Sequence, residues 1–214
     1  GGNGGLSTLD LLSLFEGICR GVKVLHDHPD PAWAHRDIKP DNVLISDAGI
    51  PMLMDFGSVA PAHVTISTRS EALLLQELAA EQCTMPYRAP ELFDVPSDAT
   101  LDARTDCWSL GCVLFAMMYG YSPFECSFDH VTNSVNITEC SYSSVIGRVP
   151  EAPPALQQHP EFMDEFVGMI LQQHPHQRPH IDQILAHIET VRRKATEVWT
   201  EGDGAFSGAF SGAF

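Results

Sequence analysis

Apolar residues recur with helical spacing along most of the chain. One face of the first predicted helix carries apolar residues three and four positions apart: Leu11, Leu12, Phe15, Ile18, Cys19, Val22 and Leu25. Residues 106–119 are apolar nearly all round, which is typical of a helix buried on every side. Residues 162–173 and 181–191 show two further amphipathic patterns, so the later part of the chain is predicted to be helical.

Two segments between these helices also have predicted structures. Residues 43–45 and 52–54 are short apolar runs around a turn at 46–49 that contains Asp and Gly, which predicts a β-hairpin. Residues 71–82 are rich in Leu, Ala and Glu and contain no Gly or Pro, which predicts another helix. The predicted fold class is therefore mainly α with short β-hairpins.

One compact unit is expected over residues 9–199, because a chain of 214 residues that is 44% hydrophobic can bury a substantial core. Residues 1–8 form a Gly-rich start that we expect to be flexible. Residues 200–214 contain a low-complexity repeat of Gly, Ala, Ser and Phe, which we expect to be disordered. No targeting signal or bilayer-length apolar run is visible, although a preceding segment could carry a signal.

The charge balance narrows the possible partners. Lys and Arg number 12 against 28 Asp and Glu, which gives a net charge of -16 and would repel a nucleic-acid backbone. The six cysteines never form a CxxC pair, which argues against a metal site or a disulfide framework and favours a reducing, cytosolic setting.

Two polar segments carry the candidate chemistry. Residues 35–42 read HRDIKPDN and residues 55–57 read DFG, with the predicted hairpin between them. In this order they resemble the catalytic loop and the magnesium loop of a protein kinase. Phosphoryl transfer needs charge neutralisation and in-line positioning of the attacking hydroxyl, which explains why acidic and basic residues occur together.

The resemblance implies a role for each of these residues. Asp37 would orient the substrate hydroxyl and accept its proton, and Lys39 would steady the transferred phosphate. Asn42 and Asp55 would hold Mg²⁺ through oxygen ligands. The implied cofactors are ATP and Mg²⁺, and Leu44 would join Lys39, Asn42 and Asp55 in contacting the nucleotide. A Lys-Pro-x-Asn pattern at Lys39 resembles serine/threonine kinases rather than tyrosine kinases.

Later residues resemble the framework of the same family. Residues 84–91 read TMPYRAPE, like the end of a kinase activation segment, and Thr84 would contact the residue beside the phosphoacceptor. By the same resemblance, Glu91 would pair with Arg178. Asp106 would accept hydrogen bonds from the backbone of the catalytic loop.

His35 and Arg36 are expected to support the loop. His35 would pack near Phe56 rather than act as an acid or base. Arg36 could bind a phosphate on the activation segment through charge-assisted hydrogen bonds, or the helix predicted at 71–82 could order the segment without modification. The sequence leaves both alternatives open. The candidate phosphate acceptors are Thr65, Ser67, Thr68, Ser70 and Thr84.

A helix within the activation segment is typical of the Numb-associated kinase family, and the chain is similar to a lipidated member of it over roughly residues 26–191. The match departs at His174, where kinases commonly have Asp, and at residues 126–148, which show no family pattern. Three histidines at 174, 176 and 180 invite a metal hypothesis, but they alternate with Pro in a loop that matches a structural turn.

The resemblance implies the C-terminal lobe of a kinase without its N-terminal lobe. A Gly-rich loop, a strand lysine and a helix glutamate that hold ATP in kinases are not found, and the lysines are Lys23, Lys39 and Lys194. We therefore expect weak activity from this chain alone. Two functions stay open: a serine/threonine kinase acting on protein substrates, and an inert lobe that serves as a protein-interaction module. The family implies a cytoplasmic protein, with Golgi or perinuclear membrane association if a preceding segment is lipidated.

Overall fold

The computed structural model describes residues 6–204, with side chains described as far as residue 198. Within this range the helices are α1 (Thr8–His26), α2 (Arg69–Gln82), α3 (Arg104–Tyr119), α4 (Tyr142–Val145), α5 (Phe162–Ile170) and α6 (Ile181–Gly204). The strands are β1 (Trp33–Ala34), β2 (Val43–Ile45), β3 (Pro51–Leu53), β4 (Ala60–Pro61), β5 (Val64–Ile66), β6 (Ala99–Leu101), β7 (Cys126–Asp129) and β8 (Ser134–Ile137). They form four antiparallel two-stranded sheets, in the pairs β1–β4, β2–β3, β5–β6 and β7–β8.

Helix α3 is the axis of the core. All of its side chains from Thr105 to Ala116 are buried, whereas α1 and α5 each bury one face. Phe15 of α1 meets Phe166 of α5 edge to face, with ring centroids 5.9 Å apart. Helix α6 packs along α1 and against α5. These four helices form one apolar core that supports the loops on its surface.

The predicted hairpin is confirmed with its second strand one residue earlier. Val43 pairs with Leu53 and Leu44 pairs with Met52, so β3 covers 51–53 rather than 52–54. Gly49 closes the turn at a φ of 75°, a conformation that suits glycine. One face of the hairpin packs on α1 through Leu53, and the opposite face is exposed.

The helix predicted at 71–82 is confirmed as α2 and begins two residues earlier, because Thr68 caps it. The Thr68 hydroxyl accepts from the Glu71 N–H at 3.2 Å, and the Glu71 carboxylate accepts from the N–H groups of Thr68 and Ser67 at 2.9 and 2.8 Å. This capping box satisfies donors that a helix start leaves unpaired. Ala72 and Ala79 are buried on the inner face of α2.

Other predicted boundaries need correction. The buried helix begins at Arg104 rather than 106, and α5 ends at Ile170 rather than at 173. The helix ends where Leu171 leaves the helical conformation, at a φ of -81° and a ψ of 53°, and the Gln172 carbonyl beyond it accepts from Arg178 Nε at 3.1 Å. Helix α6 continues to Gly204, beyond the predicted end at 191. Three of the four strand pairs were not predicted, since strands of two to four residues are too short to show an alternating pattern.

The Gly-rich residues 1–5 and the repeat at 205–214, with their predicted flexibility and disorder, lie outside the described residues. Residues 200–204, for which the sequence also predicts disorder, form the end of α6, and α1 begins at Thr8 within the start that is predicted to be flexible. All six cysteines are free thiols, and five of them are buried. None of the helices in the described part of the chain has both the length and the apolar character needed to cross a bilayer.

We predict that Gly111→Ala destabilises the protein. A Cβ at this position in α3 would lie 2.7 Å from Leu171 Cδ2 and 2.9 Å from Ile170 Cγ2. Overpacking of this kind costs about 1–3 kcal/mol of unfolding free energy, which urea denaturation measures. Gly168→Ala in α5 is the matched control, because nothing lies within 4 Å of its Cβ position. The packing argument fails if both substitutions have the same effect.

Candidate active site

The two predicted loops lie side by side, and His35 joins them. His35 Nε2 lies 3.0 Å from the carbonyl oxygen of Met54, and the N–H of Asp37 lies 3.4 Å from His35 Nδ1. A carbonyl only accepts and a backbone N–H only donates, so the ring carries its proton on Nε2. The His35 and Phe56 rings are 5.5 Å apart, and the Ser58 hydroxyl donates to the His35 carbonyl at 2.7 Å.

The carboxylate of Asp37 is the centre of the site. One oxygen accepts from the backbone N–H of Thr84 at 2.8 Å. The other accepts from Lys39 Nζ at 2.8 Å and from Asn42 Nδ2 at 3.0 Å. Lys39 also donates to the Thr84 hydroxyl at 2.6 Å, which ties the loop of residues 35–42 to the end of the segment that contains α2. Burial alone would raise the pKa of Asp37, but the bonds from Lys39 and Thr84 outweigh it and lower that pKa.

Asp106, at the start of α3, holds the backbone behind Asp37. Its carboxylate is fully buried and accepts from the N–H groups of His35 at 2.7 Å and Arg36 at 2.9 Å. His26 Nε2 lies 2.9 Å from the same carboxylate. Burial would raise the pKa of Asp106, but His26 and the two backbone donors reverse this effect and lower it. Arg36 adopts a φ of 69°, a strained conformation for a non-glycine residue that the bond to Asp106 maintains.

A cleft of about 380 Å³ opens in front of Asp37. Four of the predicted site residues line it: Asp37, Lys39, Asp55 and Thr84. Asn42 is buried behind Asp37, and Leu44 lies outside the cleft on the exposed face of the hairpin. Glu81 and Gln82, at the end of α2, also line the cleft.

The donor set beside this cleft fits Mg²⁺. Asn42 uses its nitrogen to donate to the Asp37 carbonyl at 2.7 Å, which leaves its oxygen as the available acceptor. Asp55 is exposed, and one of its oxygens accepts from the Gly57 N–H at 3.2 Å. An amide oxygen and a carboxylate are suitable Mg²⁺ ligands when phosphates and waters complete the octahedron.

The described residues contain no group of three or more His, Cys, Asp or Glu side chains that could hold a metal ion. The histidines at 174, 176 and 180 belong to no such group within residues 6–198. The His176 ring instead lies 3.3 Å from the guanidinium of Arg104.

The activation segment could be ordered by a phosphate bound to Arg36 or by unmodified residues, and the structure shows contacts relevant to both alternatives. The Arg36 side chain is buried, and its Nε and Nη1 have no hydrogen-bond partner among residues 6–198, which leaves donors for an anion. The Thr68 hydroxyl, however, already caps α2 without modification. Arg88 donates to the carbonyls of Ala80 and Cys83 at 3.3 and 2.7 Å and so stabilises the other end of α2. These contacts favour ordering by unmodified residues.

Glu91 and Arg178 form a buried two-bond ion pair, with N–O distances of 2.8 and 3.0 Å. Arg178 also donates to the carbonyl of Arg104 at 2.8 Å, and its guanidinium lies over the Trp108 ring, 5.1 Å from the centroid. The pair therefore fixes the end of the activation segment against the helical core.

Sequence reasoning missed several contributors to the site. His26 stands 80 positions before Asp106, and no local pattern connects the two. Ser58 directly follows the DFG triplet, which could have drawn attention to it. Glu81 and Gln82 are placed by the packing of α2, which a helix prediction alone does not give.

Comparison with known proteins identifies similar chains. The family model described as the protein kinase domain matches residues 3–188. The chain is 40% identical over 185 residues to serine/threonine-protein kinase 16 of Homo sapiens, which covers 86% of this chain and 57% of that protein. It is 35% identical over 161 residues to serine/threonine-protein kinase ppk13 of Schizosaccharomyces pombe, covering 74% of this chain and 44% of that protein. The chain thus spans less than two thirds of the length of these relatives.

We predict that Asp106→Asn lowers the free energy of unfolding by about 3 kcal/mol, because an amide offers one acceptor oxygen to three buried donors. Amide hydrogen exchange should become faster at His35 or Arg36. Asp182→Asn is the control, since Asp182 pairs with Lys23 on the surface and should cost less than about 1 kcal/mol. Unchanged protection at both amides would contradict the role given to Asp106.

Acid should destabilise the fold through Asp37 and Asp106. Both carboxyls have a pKa below their usual value in the folded protein. The stability they contribute is fully present above the unfolded pKa of about 3.9 and is lost as pH falls through the folded pKa values. Urea denaturation between neutral pH and pH 3, roughly, should therefore show a fall that begins near pH 4. The fall should be shallower in Asp106→Asn, and an equal slope would contradict this assignment.

Proposed function

The chain belongs to the protein kinase domain family, and we propose that it provides the catalytic C-terminal lobe of a protein serine/threonine kinase. The reaction is transfer of the γ-phosphate of ATP to Ser or Thr hydroxyls of protein substrates. The observation that carries the proposal is the arrangement around Asp37, whose carboxylate is held by Lys39, Asn42 and Thr84 at the mouth of an open cleft.

Each contact gives Asp37 and Lys39 a chemical role. The lowered pKa keeps Asp37 ionised, so its oxygen can accept a hydrogen bond from the substrate hydroxyl and later the proton. Lys39 places its ammonium between Asp37 and Thr84, where it can stabilise negative charge on the transferred phosphoryl group. Mg²⁺, when bound by Asn42 and Asp55, would supply further charge neutralisation. Thr84, through its contacts to both residues, positions the substrate segment beside the acceptor hydroxyl.

The exposed face of the hairpin supports the assignment to a C-terminal lobe. Leu44 and Met52 are paired across β2 and β3 and are 49% and 44% exposed, and nearby Phe56 is 54% exposed. Exposed apolar residues grouped in this way mark an interaction surface. We propose that an N-terminal lobe covers this face and that Leu44 then contacts the nucleotide held between the two lobes.

The same proposal extends to the kinase subfamily and to the location of the protein in the cell. Helix α2 within the activation segment supports membership of the Numb-associated kinase family. A cytoplasmic protein that associates with Golgi or perinuclear membranes through a lipidated segment is the setting we propose.

The second candidate is an inert lobe that acts as a protein-interaction module. Among the described residues, Lys39 is the only lysine that lines the cleft, so the cleft lacks a second lysine that could bind phosphate. A phosphotransfer assay separates the candidates, because measurable turnover by the longest natural form of the protein excludes an inert module.

We predict that Asp37→Asn slows phosphotransfer by roughly 10²–10⁴-fold, because the general base is lost. Binding of a non-hydrolysable ATP analogue should change little. Asp41→Asn in the same loop is the matched control, since Asp41 is exposed and does not line the cleft. Radiolabel transfer to a protein substrate measures the rate. Equal rates in the two variants would remove Asp37 from the mechanism.

We also predict that Asp55→Asn weakens the effect of Mg²⁺ on nucleotide binding. Losing one charged ligand should raise the Mg²⁺ concentration needed for half-maximal binding of the ATP analogue by about tenfold. Asp47→Asn, in the exposed hairpin turn, is the control and should match the unsubstituted protein. If Asp55→Asn also matches it, Asp55 is not a ligand.

A further inference from the structure

A second cavity lies between α5 and the loop of residues 149–157. Its volume is about 510 Å³, and it shares no lining residue with the catalytic cleft. Val167 and Ala152 are buried beneath it, and Pro150 lines its side. Its floor is open at Gly168, where no atom lies within 4 Å of the Cβ position. We call this cavity the α5 groove.

The rim of the α5 groove is acidic. Glu151, Glu161 and Glu165 are exposed, and no ion pair involves any of them within the described side chains. Their charges are therefore available to a ligand. His130 lies at the edge of the groove.

Asp164 adds an incompletely satisfied carboxylate to the same groove. One of its oxygens accepts from the Tyr119 hydroxyl at 2.7 Å, but the other is buried and has no partner among the described residues. Burial raises the pKa of Asp164. Asp164 therefore adds a polar group with one unsatisfied oxygen to the wall of the groove.

These carboxylates are distributed around the rim, which suits several cationic groups along one ligand better than a single metal ion. No three acidic or histidine side chains of the described protein converge closely enough to hold a metal. Several ammonium or guanidinium groups along a peptide would match carboxylates distributed around a rim. The aliphatic stems of Lys and Arg would pack on the apolar floor while their charged ends reach the rim.

We propose that the α5 groove binds a basic, extended peptide segment of a protein partner. The proposal rests on the shape of the groove, its apolar floor and its charge complementarity to Lys and Arg. It does not depend on the proposed phosphotransfer, because the groove and the catalytic cleft are lined by different residues.

A direct binding measurement tests the proposal. The probe is a short fluorescein-labelled peptide of alternating Arg and Leu, followed by anisotropy without nucleotide. Replacing the three rim glutamates together by Gln (Glu151→Gln, Glu161→Gln, Glu165→Gln) should weaken binding by about tenfold or more. The matched control removes three exposed carboxylates elsewhere (Asp47→Asn, Asp94→Asn, Glu139→Gln) and should stay within about twofold.

A second variant tests the floor of the groove. Gly168→Leu fills the open space without a clash at Cβ, so the thermal unfolding temperature should stay the same or rise while peptide binding weakens. Binding that weakens equally in the control triple would show that overall charge alone attracts the peptide, and the proposal would be overturned. It would also be overturned if the unsubstituted protein fails to bind the peptide or if Gly168→Leu binds as well as the original.

Discussion

The site depends on one buried carboxylate, that of Asp106. An ionised group with no solvent exposure is stable only when donors surround it. Here the donors are His26 and the N–H groups of His35 and Arg36. The need to solvate this charge fixes the backbone just before Asp37 and joins the end of α1 to the start of α3. The geometry of the loop that carries Asp37 is therefore set by the interior of the protein.

From Asp106, a series of contacts extends to the cleft. His35 connects the loop of Asp37 to the loop of Asp55, and Lys39 connects it to Thr84. The pair between Glu91 and Arg178 then secures the other end of the activation segment to the core. Each of the three connections uses a charged or strongly polar group in a partly or fully buried position, where the loss of one partner is costly. The residues of the site are consequently held in place by contacts within the protein itself.

The sequence predicted the elements that are long or chemically distinctive. Helices α1, α2 and α3 have many residues with a clear period or composition, and the loops around Asp37 and Asp55 have recognisable order. What could not be predicted depends on contacts between distant positions. The residues just beyond α5 are held by the distant side chain of Arg178, and the short strand pairs depend on the register between segments such as β5 and β6. His26 reaches the site only because α1 ends beside α3.

The exposed face of the β2–β3 hairpin affects the solubility of the protein. Its inner face is fixed on α1, so the row that includes Leu44 and Met52 cannot turn inward when it has no cover. Because this row of residues stays exposed, it is available as a contact surface. When no partner covers it, the same row favours self-association and binding to chaperones. Solubility of this polypeptide should therefore report on whether that row is covered.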